Sequence, residues 1–180
     1  MVRPLDIDRA EAAKARLDWP TFVFAFEEEH RPGVLVEIAD QLADTDYWKL
    51  VRLVWTHADA IWKNFDLWRQ LLTASRPSRS EIMEEAERLA FSQLDDPVVI
   101  FRGHTEHNRD GWSWTRTWSR AKDFAKTPHG WPEIGTPKVT RGQVSRSNII
   151  AYLTLLDEEE IVIDPAHCYD HESVTIYPTD

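Results

Sequence analysis

Apolar and polar positions divide the chain into two halves of different character. Residues 5 to 18 set Ala and Leu among charges at helical spacing, which predicts an amphipathic helix. The stretch TFVFAFEEEH (21–30) reads two ways. Its aromatics alternate as on a strand, yet Pro20 and Thr21 look like a helix start and Phe22 and Phe26 stand four apart; helix is the preferred reading. RPG at 31–33 is expected to break the chain, and VLVEIADQLA then resumes a helical pattern. A long helix is expected from about 46 to 73, with Asp44, Thr45 and Asp46 as N-caps. Trp48, Trp55 and Trp62 recur every seven residues, two helical turns, so they share one stripe with Leu50, Val51, Val54, Ile61 and Phe65 nearby. Such a stripe is far more often core than ligand box. SRPSRS (75–80) reads as a capped turn and EIMEEAERLAFSQL (81–94) as a further amphipathic helix.

From Asp95, Asp96 and Pro97 onward the period changes. VVIF (98–101) is a short apolar strand, followed by a loop containing Gly, Asn and Asp. SRAKDFAK (119–126) is a short helix opening on a Ser cap, and TPHGWPEIGTP (127–137) is a loop. KVTRGQV (138–144), NIIAYLTLL (148–156), EEIVID (159–164) and SVTIYP (173–178) all read as strands. Helices first, then strands with one small helix, predict an α+β fold rather than an alternating βα sheet. The expected division is a helical N-terminal region, 1–94, and a core, 95–180.

Composition narrows the class. The 180 residues are 42% hydrophobic, which suits a globular core. No apolar run approaches the roughly 20 residues needed to span a bilayer, so no membrane role is expected. The opening MVRPLDIDRAEAAK lacks the apolar segment of a signal peptide, and the single Cys168 allows no intrachain disulfide. Together these predict a soluble protein of a reducing cytoplasm. The net charge of −10 excludes a general nucleic-acid binder. The charge is uneven, however. Residues 102–146 hold nine Lys and Arg against four acids, a local +5, which leaves −15 elsewhere. This island either serves one anionic ligand or is a fluctuation on a solvated surface.

Three motifs in the second half could carry chemistry. Arg102-Gly103 ends the strand VVIF. Arginine offers a fork that matches phosphate oxygens, and glycine lets a ligand approach the backbone. Alternatively, Arg102 is an ordinary edge arginine before a loop. In GWSWT (111–115), Ser113 and Thr115 face one way on an extended segment, while Trp112 and Trp114 face the core. In DEEEIVID (157–164), an extended chain puts Glu158 and Glu160 on one face, about 7 Å apart, and Glu159 on the other. Two such carboxylates can divide labour, one polarising and one handling protons. The triple Glu leaves the register open, with Asp157 and Glu159 as the other same-face pair; a charged turn at a strand start is the bland reading.

A strand ending in Arg-Gly, a Ser-x-Thr leading into a helix with Ala-x-x-Phe-Ala, and a Glu-x-Glu entering a strand together resemble the ADP-ribosyltransferase family. The resemblance is to its Arg-Ser-Glu class, which includes many bacterial and phage enzymes and toxins, and it covers roughly residues 95 to 180. It implies a split β-sandwich clamped around NAD, with the helical N-terminal half packed on it. By the family pattern, Arg102 would hold the NAD phosphates and the backbone of Gly103 the nicotinamide amide. Ser113 would orient the catalytic glutamate, with Thr115 supporting the same region. Glu160 takes the catalytic place and Glu158 the first place of Glu-x-Glu, which often activates the acceptor. The segment 127–137, with Trp131, takes the place of the nicotinamide and substrate loops. The implied activity moves ADP-ribose from NAD to a protein or other macromolecular acceptor and releases nicotinamide.

The chemistry is consistent with these residue types. Breaking the nicotinamide–ribose bond develops oxocarbenium character, which a carboxylate near the sugar stabilises. NAD also needs a cation for its pyrophosphate and aromatic surface, for which Trp112, Trp114, Trp118, Trp131 and Phe124 are at hand. Two alternatives stay open: a catalytically silent interaction protein on the same scaffold, and an NAD glycohydrolase with water as acceptor. His104 with His107, and His167 with Cys168 and His171, have spacings seen in metal sites. Zinc sites normally show two such pairs with more cysteine, so no metal is expected.

Overall fold

The computed structural model describes residues 3–59, 61–106, 108–126, 135–155 and 158–176. The chain is α+β and forms two compact units, Met1–Ile82 and Met83–Asp180.

The first unit is helical: α1 (Ile7–Ala15), α2 (Trp19–Phe24), α3 (Arg31–Ile38), α4 (Asp44–Trp55) and α5 (Phe65–Leu72), with short 3-10 turns between. Asp6 caps α1 by accepting from the Arg9 N–H, and Asp18 caps α2 by accepting from the Thr21 N–H. RPG is not a break but the first turn of α3. Proline is tolerated there because its missing N–H would have had no intrahelical partner.

The single long helix is also corrected, because α4 stops at Trp55. The Thr56 hydroxyl joins its own N–H on the Arg52 carbonyl, and the His57 ring takes the Leu53 carbonyl because the His57 N–H turns to Val54 instead. Trp48 and Trp55 are core, whereas Trp62 lies in the turn 61–64. Trp68 of α5 is buried instead and meets Trp55 edge-on at 5.0 Å.

The second unit opens with α6 (Glu85–Ser92), so this helix belongs with the strands that follow it rather than with the helical unit. The reason is Glu87, only 3% exposed. It accepts from the Glu84 N–H at 2.8 Å and from the Thr154 N–H at 2.9 Å, tying α6 to the end of the strand Ile149–Leu153.

Among the described residues the sheet has six strands: β1 (Val98–His104), β2 (Ser113–Thr115), β3 (Lys138–Val144), β4 (Ile149–Leu153), β5 (Glu160–Ile163) and β6 (Tyr169–Thr175). Their order is β4-β5-β2-β1-β3-β6 and every registered pairing is antiparallel. One helix, α7 (Trp118–Lys126), follows β2 and packs on the central strands, where Ala121 and Ala125 join Phe101, Val139 and Ile176.

β1 pairs with β3 along its whole length, from Val98↔Val144 to His104↔Lys138. Its register with β2 is one pair, Phe101↔Thr115. Among the described residues no further pair joins these two central strands toward their connection.

Candidate functional site

The three motifs sit on three adjacent strands: Arg102 and Gly103 on β1, Ser113 and Thr115 on β2, and Glu160 as the first residue of β5. Thr115 stands opposite Glu160 and Ser113 opposite Val162, so these side chains share one face. Ser113 is then the diagonal neighbour of Glu160, at roughly 7–8 Å.

Arg102 starts from the other face, because Phe101 is the residue paired with Thr115. Its guanidinium turns to the connection between β1 and β2. Nε donates to the carbonyls of Asn108 (3.2 Å) and Arg109 (3.1 Å), Nη2 to Asn108 (2.8 Å), and Nη1 to the Ser113 carbonyl. Among the described residues, one N–H on each terminal nitrogen stays outside these bonds. Burial pushes the guanidinium down to about 10, while the carboxylates of Asp110 and Glu160 act in the opposite direction. It is therefore charged at neutral pH and within electrostatic reach of Glu160.

Two glycines shape this region for different reasons. A Cβ on Gly103 would stand 1.8 Å from the Ala121 carbonyl oxygen and 2.5 Å from the Ala125 nitrogen. Gly103 must be small because the backbone of α7 lies on it. A Cβ on Gly111 would stand 2.0 Å from Nη2 of Arg102. Gly111 therefore makes the room that Arg102 occupies.

The acidic turn corrects the expectation of an extended Glu158–Glu160. β5 begins at Glu160, and Glu159 has φ 44°, in the left-handed region, so strand alternation does not run through the trio. The buried Thr115 hydroxyl donates to the Glu158 carbonyl at 2.6 Å and accepts from the Thr117 N–H at 3.1 Å. The Glu159 carboxylate accepts from Thr117 Oγ1 at 3.0 Å and from the Tyr152 hydroxyl at 3.2 Å, with Arg116 Nη1 at 3.9 Å. The Ser113 hydroxyl has no hydrogen-bond partner among the described residues.

Of the aromatic rings expected near the ligand, Trp112 and Trp114 are buried, while Trp118, 39% exposed, meets Phe101 edge-on at 5.7 Å. Trp131 and the segment 127–134 lie outside the described residues, as do Asp157 and His107. The basic island is partly structural. Besides Arg102 and Arg116, Lys138 pairs with Glu106 at 3.0 Å and Arg146 donates to the Ser92 and Leu94 carbonyls.

His104 is buried, with Nδ1 on the Thr105 carbonyl and Nε2 on Thr140 Oγ1. Burial holds its pKa below the usual value, helped by Arg102, Arg109 and Lys138. The neutral ring must then donate from Nδ1 and accept at Nε2, which makes Thr140 a donor and leaves Ser173 to donate to Thr140 at 2.6 Å. His171 Nε2 bonds the Cys168 carbonyl, and burial pushes the Cys168 thiol up to about 11.

Asn108, Gly111 and the partners of Glu159 were not legible as site residues; Gly111, the first residue of GWSWT, was the one available signal. Comparison with family models, curated proteins and solved structures gives no match. No helix among the described residues is long and apolar enough to cross a membrane.

Proposed function

We propose that the second unit is an NAD-dependent ADP-ribosyltransferase core of the Arg-Ser-Glu kind that takes NAD as substrate, although its described strands form one six-stranded sheet rather than the expected split β-sandwich. One observation carries the reading. Motifs nearly 60 residues apart in the chain lie on adjacent strands β1, β2 and β5, with a half-buried arginine held against the connection between β1 and β2.

In this reading Glu160 stabilises the positive charge that develops on the ribose as nicotinamide leaves. The departing ring is already cationic, so no strong general acid is required. Thr115 fixes the main chain at Glu158 and Ser113 lies diagonally beside Glu160. The uncommitted N–H groups of Arg102 are the donors available to a pyrophosphate. Glu158, ahead of the strand, is the candidate to activate the acceptor.

A second reading has its own support. The Arg102 fork already serves three main-chain carbonyls, and Gly103 serves α7. Both fit a scaffold that keeps the fold without turnover. Labelled NAD, incubated with the protein with and without cell lysate, separates the possibilities. Label on a macromolecule supports transfer, and free nicotinamide without transfer supports hydrolysis. Neither product, with no NAD binding by calorimetry, leaves the silent scaffold.

A further inference from the structure

The proposed chemistry leaves the middle acid of the trio without a part. Glu159 is a non-glycine residue in the left-handed region, where the Cβ crowds the backbone. If a turn alone were needed there, glycine would adopt it without that penalty.

The carboxylate instead meets donors from both flanks of β5. Thr117 and Arg116 follow β2, and Tyr152 belongs to β4. Burial raises the Tyr152 pKa, so its phenol is a protonated donor at neutral pH. The main chain closes the same junction, because the Arg116 N–H donates to the Glu159 carbonyl at 3.2 Å. The side chain is 43% exposed, so these contacts rather than burial fix its place. The residue that leaves this anchored turn is Glu160, the first of β5.

We propose that Glu159 is a positioning residue for the transferase reaction: its anchored carboxylate holds the left-handed turn that sets the direction of the Glu160 side chain. This rests on the transferase reading of the site. It assigns Glu159 no contact with NAD or acceptor.

The test compares Glu159→Ala, Glu159→Gln, Tyr152→Phe and Thr117→Val in steady-state nicotinamide release from NAD. For Glu159→Ala, kcat should fall about 10- to 100-fold while KM for NAD stays within about twofold, the pattern of a misdirected catalytic group. Glu159→Gln keeps an acceptor oxygen and should recover most of kcat. Tyr152→Phe and Thr117→Val, which leave Glu159 in place, should each lower kcat with KM unchanged. Hydrogen exchange should quicken at the Arg116 amide in Glu159→Ala but not along β1.

Wild-type kcat in Glu159→Ala, a loss expressed in KM alone, or no rescue by Gln overturns the proposal while the transferase reading stands. A wild-type protein that neither binds nor cleaves NAD overturns both. If Glu159→Ala fails to fold, the two partner variants decide.

Discussion

Replacing Gly103 by Ala adds one methyl where the backbone of α7 already lies. The new Cβ would stand 1.8 Å from the Ala121 oxygen, 2.5 Å from the Ala125 nitrogen and 2.9 Å from the Ala121 carbon. These are main-chain atoms, so no side chain can rotate away, and α7 must lift by more than an ångström to restore ordinary contact of about 3.5 Å. Lifting it opens the layer formed by Ala121, Ala125, Val139, Ile176 and Phe101. Overpacking alone typically costs 1–3 kcal/mol, and the rigidity of the neighbour places this case near the top, about 3 kcal/mol. With a urea m-value of about 2 kcal/mol/M, the midpoint of the second unit should fall by about 1.5 M. Urea titration followed by hydrogen exchange in β1 and α7 isolates that unit. Gly111→Ala is the control. Its Cβ meets the tip of Arg102, which can move, so it should lose only about 1 kcal/mol while NAD affinity falls. If Gly103→Ala keeps the wild-type midpoint, α7 is not seated on β1 as described, and the ligand-approach reading of Gly103 regains its ground.

Other variants probe the site and its surroundings. Arg102→Lys keeps the charge but loses the fork, so NAD affinity by calorimetry should fall about tenfold or more; unchanged affinity would make Arg102 a loop staple only. The folded protein holds His104 below its unfolded pKa of about 6.5. Between those two values the unfolded chain binds more protons, so stability rises with pH across the window and is lost as pH falls toward the folded value. His104→Gln should flatten that part of a stability-versus-pH curve, and an unaltered curve would contradict the buried neutral ring. Cys168, with its thiol at about 11, should react with a disulfide reagent at pH 8 about 100-fold more slowly in the native state than in urea.

Strands rich in β-branched and apolar residues were legible. KVTRGQV forms β3 over its expected span, since Val139 and Val144 are buried and β1 pairs with it throughout. β1 runs on past VVIF to His104 because β3 offers it partners that far, which no local pattern reveals. β6 begins at Tyr169 rather than 173, since YDHE lacks alternation yet pairs with β3 from Gln143 onward. In the helical unit the seven-residue spacing of tryptophans suggested one helix. Local hydrogen bonds from Thr56 and His57 end α4 before Trp62 is reached. At the site, Arg102, Ser113 and Glu160 lie on neighbouring strands, with Arg102 starting from the opposite face. The roles of individual atoms were hidden. Gly103 answers to α7, Gly111 to Arg102, and the trio of acids is broken by a left-handed residue. Each of these depends on what packs across from a residue, which its neighbours in the chain do not encode.

The central claim is that Glu160, at the start of β5, acts on NAD. Single-turnover release of nicotinamide by wild type and Glu160→Gln, with NAD affinity measured in parallel, tests it most directly. The expected result is NAD bound by both proteins with similar affinity, and release by the variant slowed at least about 100-fold. Equal release by both, or no NAD bound by the wild type, would contradict it.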